Sequence, residues 1–177
     1  MGADALPAAC ACAARLVLVS VSAKRLRLRR RVVGGARSFS TAIFFLVPRG
    51  SVSRLHRIRS AEVWHFYLGS PLVVYELDPS SGAEKRTTLG ADVLAGQRLQ
   101  HVVPAGAWFG SHLAADADAA AASASPAATP SDSRDYALVG CTVSPGFDFA
   151  DFEMAKRDAL LQQFPHAAAD IVRLTDA

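Results

Sequence analysis

From Ser38 onward the sequence is a succession of short apolar runs, each stopped by turn-forming residues. Ser38–Val47 is rich in Phe and Ile and ends at Pro48-Arg49-Gly50. Glu62–Leu68 (EVWHFYL) ends at Gly69-Ser70-Pro71, and Leu72–Leu77 ends at Asp78-Pro79-Ser80-Ser81-Gly82. Lys85–Leu89, Leu99–Val103, Trp108–Leu113 and Tyr136–Val143 follow in the same manner, the last closing at Pro145-Gly146. Many short runs at regular spacing with Gly- and Pro-rich breaks predict an all-β sandwich or barrel, not alternating βαβ units.

Two segments depart from this rhythm. Residues 114–134 are almost wholly Ala, Ser, Asp and Pro. With no large apolar side chain to bury, they are expected to form a disordered loop between two paired strands. The stretch Asp151–Phe164 predicts a helix, because Phe152, Ala155, Ala159, Leu160 and Phe164 share a face at 3.6-residue spacing. Asp148 or Asp151 is placed to cap its amino end, and Pro165 lies just past its close.

A chain of 177 residues with 51% hydrophobic content can build one domain with a proper core. The formal charge of +3 is unevenly placed. Residues 1–37 hold eight basic residues and one acid, which leaves residues 38–177 with a net charge of −4. The basic character belongs to a leader and not to a folded face, so nucleic-acid binding is not indicated. Leu16–Val21 is the longest apolar run of that leader and is too short to span a bilayer. Its Ala- and Arg-rich, acid-poor composition suits an organelle transit peptide, with Arg37-Ser38-Phe39-Ser40 near a processing point. A gene-model artefact or a plain extension is the alternative, and the domain itself is expected over residues 38–177. Location is expected to be cytoplasmic, or in an organelle if the leader is a targeting segment. Of the three cysteines, Cys10 and Cys12 lie in the leader, while Cys141 sits in an apolar strand and is expected to be buried and reduced.

One spacing carries more than fold class. Gly50, His56, Glu62 and Gly69 follow the pattern G-x5-H…E-x6-G. The combination of H-R-x-R-S-x-E-x-W-H (His56–His65) with P-G-F-x-F-x-D-F-E (Pro145–Glu153) resembles the cupin superfamily, in particular its uncharacterised Cupin_5 branch among the RmlC-like barrels. The resemblance implies a jelly-roll barrel with a short C-terminal α-helix, a ligand site in the barrel mouth and a homodimer. Members usually begin with a further segment containing a Pro-Glu-Gly-Gly-type turn, which residues 1–37 do not show.

Metal-binding cupins use two histidines and a glutamate from the first motif and a third histidine from the second. Here His56 and Glu62 match, but Ile58 stands at the second histidine and Phe109 at the third. Two of about four ligands are absent, so no metal and no other cofactor is expected. His101 and His112 would restore a site only if both faced inward. RmlC-like sugar epimerases work without metal through a histidine base and a tyrosine acid. On that model His56 and Glu62 are the candidate catalytic residues, and Tyr67 or Tyr75 the candidate acid.

Alternation along the strands points His56, Ile58, Glu62, Trp64 and Phe66 into the barrel, with His65 and Tyr67 outward, provided no bulge intervenes. A carboxylate beside the imidazole would fix its tautomer and raise its pKa. Trp64, Phe66 and Trp108 are expected to line the pocket, with Arg57 and Gln100 as further ligand contacts. The resulting expectation is a metal-free barrel that binds a small molecule, as an isomerase or epimerase of a sugar or nucleotide-linked substrate. The alternative is a non-catalytic sensor or structural dimer whose interior is filled by Ile58, Trp108 and Phe109. Neither a nucleic-acid nor a membrane partner is expected.

Overall fold

The computed structural model describes residues 15–19, 26–27, 36–114 and 136–176. Twelve strands appear in chain order: β1 (Arg15–Val19), β2 (Leu26–Arg27), β3 (Ala36–Arg37), β4 (Thr41–Pro48), β5 (Val52–Arg57), β6 (Ala61–Gly69), β7 (Leu72–Leu77), β8 (Glu84–Leu89), β9 (Gln100–Val103), β10 (Trp108–Leu113), β11 (Tyr136–Ser144) and β12 (Glu153–Met154). They form two five-stranded antiparallel sheets of order β1-β4-β11-β6-β9 and β12-β5-β10-β7-β8, plus a small β2–β3 pair. Two short helices, α1 (Arg157–Gln163) and α2 (Ala168–Arg173), close the chain. The arrangement is all-β, as the run-and-turn pattern predicts, and is the jelly roll that the resemblance implies.

Alternation decides which side chains meet between the sheets. On β6, Glu62, Trp64 and Phe66 are buried, while Tyr67 is exposed. Their inner faces join those of β10 and β7 in one core containing Ile58, Val74, Val103, Phe109, Val139 and Cys141. Trp64 of the first sheet and Phe109 of the second meet edge to face at 6.3 Å, a favoured aromatic geometry. A second core lies on the outer face of the second sheet, where Leu55, Tyr75, Leu77 and Trp108 pack beneath Leu160, Phe164 and Ile171. At the β6–β7 turn Gly69 has φ of +106°, and a Cβ there would stand 2.2 Å from the Tyr136 carbonyl oxygen. Only glycine serves at that close approach.

The tail differs from the single helix predicted over Asp151–Phe164. Phe149–Asp151 is a 3-10 turn capped by the Asp148 carboxylate, which accepts from the Ala150 N–H. Glu153 and Met154 pair instead with Arg57 and His56 on the edge of β5, and α1 starts only at Arg157. The free edge of β5 offers backbone hydrogen bonds that outweigh extending a short helix. Phe152 consequently packs on the inter-sheet core, while Leu160 and Phe164 pack on the outer one.

Strand β1 pairs with β4 from Arg15↔Leu46 to Val19↔Ala42, so backbone upstream of Ser38 extends the first sheet. Arg37 is buried, pairs with Asp151 Oδ2 at 2.6 Å and donates to the Gly146 carbonyl. The rest of the basic leader and the Ala/Ser-rich segment from residue 115 lie outside the described residues. Among the described residues no helix is long and apolar enough to cross a membrane.

Candidate functional site

Glu62 enters the inter-sheet core from β6, between Val143 of β11 and Val103 of β9. Burial pushes its carboxyl pKa up to about 7, and the Cys141 thiol beside it offsets only part of that shift. Near neutral pH it is therefore divided between acid and carboxylate, able to donate as well as accept. The same neighbourhood raises the Cys141 thiol well above its ordinary range, chiefly by desolvation. Cys141 is thus an inert, buried thiol, as its strand context predicted.

His56 reaches the core from β5, opposite Phe109 of β10. Its ring lies 4.2 Å from the Phe109 ring and 5.2 Å from that of Phe152. Nδ1 donates to the Arg54 carbonyl at 2.6 Å, which leaves Nε2 as the lone-pair nitrogen of the neutral ring. Desolvation lowers the pKa to about 4, partly countered by that hydrogen bond. The expected pairing with Glu62 is therefore corrected: the two share no hydrogen bond among the described residues. A backbone carbonyl fixes the tautomer, and the pKa moves down instead of up because no charge compensates burial.

The imidazole–carboxyl contact of the interior involves different residues. His101 of β9 and Glu76 of β7 join Nε2 to Oε1 at 2.5 Å, both side chains nearly fully buried. His101 is the register partner of Trp64, and Glu76 that of Phe109. Two facing rows result, with Trp64 against Phe109 and His101 against Glu76. Lys85, half-exposed, approaches the same Glu76 oxygen at 3.6 Å. Two polar groups of this core have no partner among the described residues: Trp64 Nε1 and Ser111 Oγ, both buried. Glu76 was not singled out in the sequence, because no motif marks it and only the facing of β7 and β9 brings it to His101.

The family model described as Cupin_5: Cupin superfamily (DUF985) matches residues 18–155. The chain belongs to this cupin family. A hypothetical protein from Leishmania major is similar in structure, at 31% identity and TM-score 0.75, over 92% of this chain and 89% of that one. A protein from Shewanella oneidensis is similar at 34% identity and TM-score 0.66, over 88% of this chain and 84% of that one. No curated protein matches the chain.

In this cupin two positions that bind metal in metal-binding cupins hold apolar side chains. Ile58 and Phe109 stand in the core at the two ligand positions they replace. His101 faces inward, whereas His112 alternates to the other face of β10 and gives its Nδ1 hydrogen to the Leu113 carbonyl. Among the described residues no three His, Cys, Asp or Glu side chains converge.

Three expected ligand contacts of this cupin lie away from the inter-sheet space. Trp108 belongs to the outer core, and Arg57 covers its ring at 4.4 Å while pairing with Glu153 at 2.7 Å. Gln100 donates to His65 Nδ1 on the outer face of the first sheet, and His65 Nε2 meets Thr142 Oγ1. Tyr67 stacks over His65 on that exposed face. Tyr75 lies in the outer core and donates to Glu84. A groove of about 1010 Å3 runs outside the inter-sheet space, beside β5 and α1. Of its lining residues, Arg54 pairs with Asp176 and Arg157 donates to Thr175. Of the predicted set, His56, Glu62, Trp64 and Phe66 share the inter-sheet core.

Proposed function

We propose that this cupin binds a small molecule between its two sheets, without a metal ion, through His56, Glu62 and the Trp64–Phe66 face. The carrying observation is Glu62, a buried carboxyl with a pKa of about 7 and only a thiol beside it. A carboxyl so placed without a strong partner is costly to keep and is characteristic of a functional site. Neutral His56 adds an inward acceptor, and Trp64 a stacking surface whose N–H has no partner among the described residues. Isomerase or epimerase chemistry of the RmlC-like kind needs a tyrosine across from His56. Tyr67 and Tyr75 project elsewhere, so ligand binding is the better-supported activity.

A structural, non-catalytic cupin is the second reading, favoured by the close filling of the core by Ile58 and Phe109. A thermal-shift panel of free sugars, sugar phosphates and sugar nucleotides separates the two. The binding account expects at least one class to raise Tm, with the effect lost in His56→Ala and Glu62→Gln. No stabilising class, together with lower intrinsic stability of both variants, would leave the structural account standing. Pairing into a homodimer is a separate proposal resting on the resemblance, and native mass spectrometry reads it directly.

A further inference from the structure

Charge and hydrogen-bond valence inside the core restrict what kind of molecule it can hold. Two carboxyl groups, Glu62 and Glu76, lie between the sheets. Among the described residues the one buried cation of the Arg and Lys class is Arg37, and it is held by Asp151 outside this core. Arg57 is committed to Glu153, Arg86 to Glu84 and Asp170, and Arg59 is largely solvated. Lys85 touches Glu76 only from the surface. A phosphate or a nucleotide diphosphate placed here would bury further negative charge beside two carboxyls with no cation to compensate, a heavily penalised arrangement.

The unfilled valences are of another type. Among the described residues, Trp64 Nε1 is a buried donor without an acceptor, and Ser111 Oγ is a buried hydroxyl without a partner. Nε2 of neutral His56 is an acceptor, since Nδ1 carries the proton given to the Arg54 carbonyl. His101 engages Glu76 through its Nε2. Native proteins leave few buried atoms such as Trp64 Nε1 and Ser111 Oγ unpaired, and a donor and a hydroxyl beside an inward imidazole acceptor and an aromatic edge suit hydroxyl groups on a compact ring.

We infer that the ligand is a small uncharged polyhydroxyl compound, an unphosphorylated sugar or polyol, and that His101–Glu76 with Trp64 forms a polar pole beside Glu62. This rests on the inter-sheet binding reading above and narrows it, setting aside nucleotide-linked substrates. Glu76 acts here as a positioning residue that holds His101, and it needs no contact with the ligand.

The test uses the full chain labelled with 15N-histidine, titrated with D-glucose, L-rhamnose and myo-inositol beside glucose 6-phosphate and UDP-glucose. Expected are a Tm increase with at least one neutral probe, a shift of the His101 imidazole nitrogens, and about tenfold weaker binding in Glu76→Gln and Ser111→Ala. Stronger binding of either phosphorylated probe overturns the inference. So does neutral-probe binding that is lost in Glu62→Gln but unchanged in Glu76→Gln with a stationary His101 signal, an outcome that spares the inter-sheet site itself. Binding by no probe overturns the inference as well. If Glu76→Gln does not fold, the His101 signal of the unaltered chain decides.

Discussion

His101 Nε2 stands 2.5 Å from Glu76 Oε1, and through this contact β9 of one sheet is tied to β7 of the other. Both groups are nearly dry, so each depends on its mate for solvation. Removing one partner strands the other in the core. Glu76→Leu or His101→Leu alone is expected to cost about 3 kcal/mol or more, and the double variant clearly less than the sum. Urea denaturation of the four proteins gives the coupling energy. Additive losses would mean that the contact is energetically idle.

The two predicted catalytic residues make opposite pH signatures. Glu62 has a folded pKa of about 7, above its ordinary 4.5, so the folded state holds its proton longer than the unfolded chain. Stability from this group therefore falls as pH rises from 4.5 to 7. His56 has a folded pKa of about 4, below its ordinary 6.5, so its contribution rises with pH between those values. Over their shared window the slopes, each about 1.4 kcal/mol per pH unit at full difference, oppose one another. Glu62→Gln is expected to unmask a rising stability profile in that window, and His56→Asn a falling one. Denaturation midpoints taken across pH distinguish this from two unshifted groups, whose variants would track the parent.

Two glycines of the sheets should respond differently to alanine. A Cβ on Gly110 would lie 2.6 Å from the Ser53 carbonyl oxygen, where an irregularity in the β5–β10 register brings the backbones together. A Cβ on Gly140 would lie 2.2 Å from the Tyr67 hydroxyl, the free end of an exposed side chain. Backbone cannot yield as a side chain does, so Gly110→Ala should lower Tm far more than Gly140→Ala. Adding Tyr67→Ala should relieve Gly140→Ala and leave Gly110→Ala unrelieved. Equal losses at the two positions would contradict the difference in contacts.

Arg57 and Trp108 lie together outside the inter-sheet space. Arg57→Ala should cost about 0.5–1 kcal/mol through the lost cation–π contact. Any ligand response of the interior should survive both Arg57→Ala and Trp108→Phe. A ligand-induced Tm shift abolished by either would place the binding site on the outer face.

The inward set of β6 was legible because one uninterrupted alternation carries Glu62, Trp64 and Phe66 to the core and Tyr67 to solvent. The same rule, applied fully, excludes the misplaced contacts. Phe109 inward forces its neighbour Trp108 outward, His56 inward forces Arg57 outward, and Gln100 shares the outer face of its register partner His65. What alternation cannot supply is the facing of two sheets. Glu76 reads as one acid in an apolar run, and its place opposite His101 depends on how strands far apart in sequence stack. The tail helix was overextended because helical periodicity over Phe152–Phe164 carries no information about the open edge of β5, which draws Glu153 and Met154 into a strand.

The proposed site turns on Glu62 as a partly protonated carboxyl buried between the sheets, and 13C NMR titration of its side-chain carboxyl measures this directly. A midpoint near 7 is predicted, unmoved by added divalent metal. A carboxylate titrating near the ordinary 4.5, or one whose titration vanishes when a divalent ion is supplied, would contradict it.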